Sequence, residues 1–128
     1  MTARLLFVGL ALLGVSCGRA DGPARYAVSG VVTYAGEPVP VGEMRFEPDP
    51  ERGGTGPGGY ARIQNGKFTT DRDWGAVGGP HVVRILAGTG RNASPIDPFG
   101  DPLFRGEYRT TLDLPHGPMT CDIDIPRR

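Results

Sequence analysis

Lysine is almost missing from this chain: Lys67 is the only one, and the other basic residues of the 14 are arginines. They are scattered, and 14 acidic side chains cancel them. A nucleic-acid protein would show a basic face, so no nucleic-acid partner is expected. Histidine is nearly as scarce. Only His81 and His116 occur, and Arg84 and Met119 stand three places after them where a metallopeptidase pattern would need an acidic partner. No Gly-x-Ser-x-Gly nucleophile turn is present. Helix-period runs are few, and the one long apolar run, Leu5 to Val15, falls short of the roughly 20 residues of a spanning helix. Only two cysteines occur, Cys17 and Cys121, so one disulfide at most could form.

Glycine and proline, in contrast, are plentiful at 21 and 13 of 128 residues, which points to short strands joined by many turns in a single domain. The amino-terminal run has the plan of an export signal, with Arg4 before Leu5–Val15 and the small residues Gly14 and Ser16 at its end. Cys17 follows directly and precedes Gly18, an arrangement that resembles the lipobox of bacterial lipoproteins, although Gly14 holds the place where that motif favours leucine. The resemblance implies diacylglycerol on the Cys17 thiol. Plain signal cleavage and an uncleaved anchor are the other readings. Residues 1–16 are thus expected to be a signal peptide, 17–25 a lipidated cysteine with a polar tether, and 26–128 the folded domain. Removing 1–16 takes away Arg4 alone, leaving 13 basic against 14 acidic residues.

Extended runs follow at Tyr26–Tyr34, Glu43–Glu47, Tyr60–Gln64, Lys67–Thr70, Pro80–Ala87, Arg105–Leu114 and Met119–Ile125. Asn65-Gly66 tolerates the positive φ angles of a two-residue type I′ hairpin turn. Strict alternation in the last run puts Met119, Cys121, Ile123 and Ile125 on one face, so Cys121 reads as a buried small hydrophobe. His81 shares a face with Val83 and Ile85 and reads as a packed residue with a satisfied ring nitrogen; His116, between Pro115 and Gly117, reads as a solvated turn residue. Residues 88–103 form a long loop. Seven short strands with turns between them predict an all-β, seven-stranded antiparallel β-sandwich.

Val28 to Pro40, then Gly42 to Pro48, Gly75 to Ile85 and Tyr108 to Leu112, resemble the blocks of carboxypeptidase regulatory-like, transthyretin-like β-sandwich domains, above all those of small planctomycete-type lipoproteins. The resemblance spans most of residues 26–126 and implies a transthyretin-like fold without catalytic machinery. Relatives of that fold that hydrolyse 5-hydroxyisourate carry a terminal Tyr-Arg-Gly-Ser and active-site histidines, whereas the Tyr-Arg of this chain is Tyr108-Arg109, within an expected strand.

Gly88-Thr89-Gly90 lacks the third glycine and following helix of a phosphate loop. Asp97, Asp101, Asp122 and Asp124 form no calcium loop and read as turn and strand-face residues. What remains for recognition are aromatic residues in loops: Trp74, Phe99 and Phe104, which serve either as binding anchors or as a lid over one end of the sandwich. The expectation is a non-enzymatic, membrane-anchored envelope lipoprotein acting as a binding or scaffolding module, with no cofactor and no metal. Its partners would be the membrane, through the lipid, and an envelope protein or polysaccharide. The alternatives are a small hydrolase or peptidase accessory subunit using His81 or His116, and a ligand-free spacer.

Overall fold

A computed structural model describes residues 22–128. The expected signal peptide, Cys17 and the first part of the tether lie outside the described residues. The fold is all-β. Its strands are β1 (Val28–Tyr34), β2 (Glu37–Pro38), β3 (Val41–Pro48), β4 (Gly59–Gln64), β5 (Lys67–Thr70), β6 (Gly79–Gly88), β7 (Tyr108–Leu114) and β8 (Met119–Ile125). Short 3₁₀ turns at Pro50–Arg52 and Arg72–Trp74 are the only helix among the described residues.

All eight strands belong to one sheet, in which β1 joins β5, β4, β3, β6 and β7 in that order. β8 runs along the whole of β1, so the two-residue β2 and β5 share the opposite edge of β1. Every neighbouring pair is antiparallel except β1 with β8, which is parallel. The sequence leads to seven antiparallel strands; the added strand is β2, and the change of direction has a physical cause. Pro115 and Pro118 flank the β7–β8 link and carry no N–H, so the first bonds of a β7–β8 hairpin cannot form. β8 instead crosses to β1.

That link also curls the sheet. Four residues separate Leu114 from Met119, a reach of at most about 18 Å at roughly 3.6 Å per residue. Seven flat strands at about 4.8 Å spacing would hold β7 and β8 about 29 Å apart. The sheet must roll until its edges approach, and its inner face becomes the core. Period-two alternation supplies that face: Val28 and Val32 from β1, Met44 and Phe46 from β3, Ile63 from β4, Val83 and Ile85 from β6, Ile123 and Ile125 from β8.

Turn chemistry follows the residues. Asn65 and Gly66 both have positive φ, 50° and 77°, and connect the Gln64–Lys67 pair as a type I′ turn. Ala35 and Gly36 make the same two-residue connection from β1 to β2, with φ of 48° and 84°. Ala35 pays a steric cost there, and Asp124 braces the turn by accepting from the Gly36 N–H and the Thr33 hydroxyl. These two donors, the hydroxyl first, hold the Asp124 carboxyl below its ordinary range.

Strand ends depart from the sequence expectation in a few places. β3 begins two residues early at Val41 because Val41 and Gly42 pair with both Gln64-Ile63 of β4 and Gly88-Ala87 of β6. β7 begins at Tyr108 rather than Arg105, since Phe104 turns into the core and Gly106 adopts φ 68°. Residues 88–103 are tied by their own backbone: Thr89 N–H donates to Asp101 O, Gly90 to Phe99 O, Asp101 to Arg91 O and Leu103 to Ala87 O. The loop is therefore folded back on itself as a compact flap. At the other end, Arg25, expected in the tether, is already docked on the domain through Gly58 O and Gly75 O.

Candidate functional site

The outer face of the sheet collects polar side chains by the same alternation that fills the core. On β3 it presents Glu43, Arg45 and Glu47, on β4 Tyr60, Arg62 and Gln64, and on β6 Arg84. Register aligns Tyr60, Arg45, Arg84 and Arg109 side by side across four strands. Opposed arginines repel, and carboxylates relieve the strain. Glu47 and Glu107 both take Arg84, the first at 2.9 Å; Glu43 reaches Arg45 at 3.5 Å and also accepts the Tyr60 hydroxyl at 3.1 Å. Burial, then Glu43, pushes the Tyr60 phenol up, so it stays a neutral donor.

Beside this face rises the segment after β5. Asp71 O accepts from Trp74 N–H at 2.9 Å, closing the 3₁₀ turn. Gly75 then packs so closely on Tyr26 that a Cβ would meet the Tyr26 carbonyl oxygen at 2.5 Å, and a Cβ on Gly59 would meet Trp74 O at 2.9 Å. The Arg25 guanidinium fastens the two segments, donating to Gly58 O at 2.9 Å and Gly75 O at 3.2 Å. Trp74 thus has a held backbone, yet it is 53% exposed.

Trp74 walls an open cleft of about 860 Å³. Arg45, Glu47, Tyr60, Arg62 and Asp71 supply the polar lining, and Gly58-Gly59 add a stretch without side chains. A second hollow of about 310 Å³ reaches from Tyr60 and Arg62 to Glu43, Pro98 and Phe99. Tyr60 and Arg62 belong to both, so the two hollows adjoin on the outer face of β4, with Trp74 in one and Phe99 in the other.

The three aromatic candidates therefore part company. Phe104 is buried, 5.5 Å from the Tyr34 ring between centroids, and is part of the core. Phe99 is half-buried in the flap, and Trp74 is exposed. Arg45, Glu47, Tyr60 and Arg62 were invisible as site residues from the sequence. Alternation puts each outside, but only the β3–β4 register sets them together.

The remaining chemistry-bearing residues are placed as follows. His81 is sealed in the core with Nδ1 2.9 Å from Gly79 O, and Nε2 has no hydrogen-bond partner, so only one of its nitrogens is satisfied. Nδ1 bonded to a carbonyl carries the proton. His116 is exposed, beside Gly78. Cys121 is half-buried at the margin of the core rather than fully enclosed, and sits in β8 directly opposite Gly30. Burial, then Asp122, raises its thiol and keeps it protonated. Asp97 accepts from Ser94 and Gly100 N–H within the flap, and Asp101 holds the Asn92 amide. No three of His, Cys, Asp and Glu come together as a metal site among the described residues. The chain matches no protein-family model and no curated protein.

Proposed function

We propose that the protein is a membrane-tethered, non-enzymatic binding module of the bacterial envelope, its curled sheet a carboxypeptidase regulatory-like, transthyretin-like β-sandwich. The observation that carries the binding role is Trp74: a large apolar side chain left half in water while its backbone is held by Arg25, Gly59 and Gly75. Aromatic and arginine side chains on a preorganised surface are the usual anchors of recognition. The tether rests on the lipobox-like placement of Cys17. A hydrolase centred on His81 gains nothing from the geometry, since that ring lies beneath the sheet surface with no solvent exposure.

Membrane fractionation of cells producing the wild type and Cys17→Ser tests the anchor. The wild type is expected with the membranes and the variant in the soluble fraction; equal retention of both overturns the lipid tether. Capture of an envelope ligand by the wild type but not by Trp74→Ala tests the binding role, and equal capture overturns it.

A further inference from the structure

We propose that the groove from Trp74 to Phe99 binds a neutral, hydroxyl-rich glycan chain laid along the outer face of β4. This deepens the binding-module reading and rests on it.

Charge makes the first argument. Arg45 and Arg62 face Glu47 and Asp71 in the Trp74 cleft, two against two. An anion or a cation of high charge would gain on one side what it loses on the other. A sugar hydroxyl both donates and accepts, so interleaved guanidinium and carboxylate groups satisfy neighbouring hydroxyls on one ring. A wholly apolar ligand would instead cover those charged groups and leave them unpaired.

The exposed indole makes the second. Its face offers a flat apolar platform to the C–H face of a sugar ring. Gly58 and Gly59 line the cleft beside that platform with backbone, which a ring can approach.

Shape makes the third. The groove is open and runs from one hollow into the next through Tyr60 and Arg62. Tyr60 to Gln64 alone spans about 14 Å at roughly 3.4 Å per residue, room for several linked rings. A peptide strand is disfavoured at this place, because β4 is paired on both sides, with β3 and β5, and offers no free edge for strand addition.

Trp74 is the only tryptophan in the chain, so its fluorescence reports on the cleft directly. The full chain in detergent micelles is titrated with hexamers of β-1,4-linked glucose and of β-1,4-linked N-acetylglucosamine, with polygalacturonate as the charged control. A saturable blue shift is expected with at least one neutral hexamer, and it should persist at about 1 M salt, where the screening length is about 3 Å. Arg62→Ala should weaken that binding about tenfold, equivalent to about 1.4 kcal/mol, with an unchanged thermal midpoint. Trp74→Phe, followed by calorimetry, should weaken it while keeping the fold. Absence of a saturable shift with either neutral hexamer overturns the glycan assignment, as does a shift confined to polygalacturonate and abolished by salt. If polygalacturonate or an envelope protein moves the Trp74 emission and the neutral hexamers do not, the ligand class falls and the binding module stands. If nothing moves it, both fall.

Discussion

The outer face of β3, β4 and β6 and the outer face of β1 and β8 are built by the same alternation, yet they are opposite in character. The first carries Arg45, Glu47, Tyr60, Arg62 and Arg84, long or aromatic side chains beside a raised wall at Trp74. The second carries Ser29, Thr33, Thr120, Asp122 and Asp124, short side chains that serve one another: Thr33 donates to Asp124, and Ser29 lies 3.4 Å from Thr120. The difference comes from what flanks the strands. Segment 71–78 rises beside β4 and carries Trp74, whereas β1 and β8 lie in direct parallel contact. One face is given relief; the other is flat and holds the roll of the sheet closed.

That division predicts stability effects on the β1–β8 side and binding effects on the β4 side. The largest is Gly30→Ala. A Cβ there would overlap the carbonyl oxygen of Cys121 across the parallel pair, and a loss of about 3 kcal/mol is expected in urea unfolding, the upper range for forced overpacking. A loss under about 0.5 kcal/mol would mean that β8 yields, and that the closing role given to this face is wrong. Gly66→Ala comes next. It places a side chain at φ 77° and against Pro38, and about 1–2 kcal/mol should be lost, the cost of left-handed backbone for a residue with a Cβ.

Acid should act on the turn braces. The carboxyl of Asp124 is held low by Thr33 and Gly36, and that of Asp49 by Arg52 first and the Glu51 N–H. A carboxyl with a depressed folded value adds stability above its unfolded value, about 3.8 here, and that stability is lost as pH falls through the folded value. Thermal midpoints should thus hold steady from neutral pH down to the ordinary carboxylate range and then drop. Asp124→Asn should flatten part of that drop. The smallest stability effect belongs to Trp74→Ala, within about 0.5 kcal/mol, as for surface substitutions away from the core, together with loss of ligand capture. A large destabilisation would make Trp74 a support of the fold and erase the contrast between the faces.

Much of the fold was legible in the residues, and the reasons are local. Asn65-Gly66 specifies its turn through φ alone, and the alternation in Met44–Phe46 and in Ile123–Ile125 gives the inward face without reference to any partner. The parallel pairing of β8 with β1 was not legible, because it depends on which of two distant edges Met119–Ile125 reaches. The candidate site was legible only at its two ends, Trp74 and Phe99. Its companions come from β3 and β4, brought side by side by the Arg45–Tyr60 and Glu43–Arg62 pairs across a separation of 15 to 19 residues in the chain. Nothing in either segment taken singly announces such a meeting. The half-exposure of Cys121 was hidden as well, since alternation sets which face it takes and not how far its neighbours cover it.

Arg25 gives the molecule one further property. The same guanidinium that secures Gly58 and Gly75 directly precedes Tyr26, the first residue bridged to the rest of the domain, through Ala76. A pull on the residues before Arg25 therefore arrives at the tryptophan wall before it reaches any buried strand. The wall would yield under tension while the curled sheet stayed intact, which makes the clasp a weak point set where yielding does least harm.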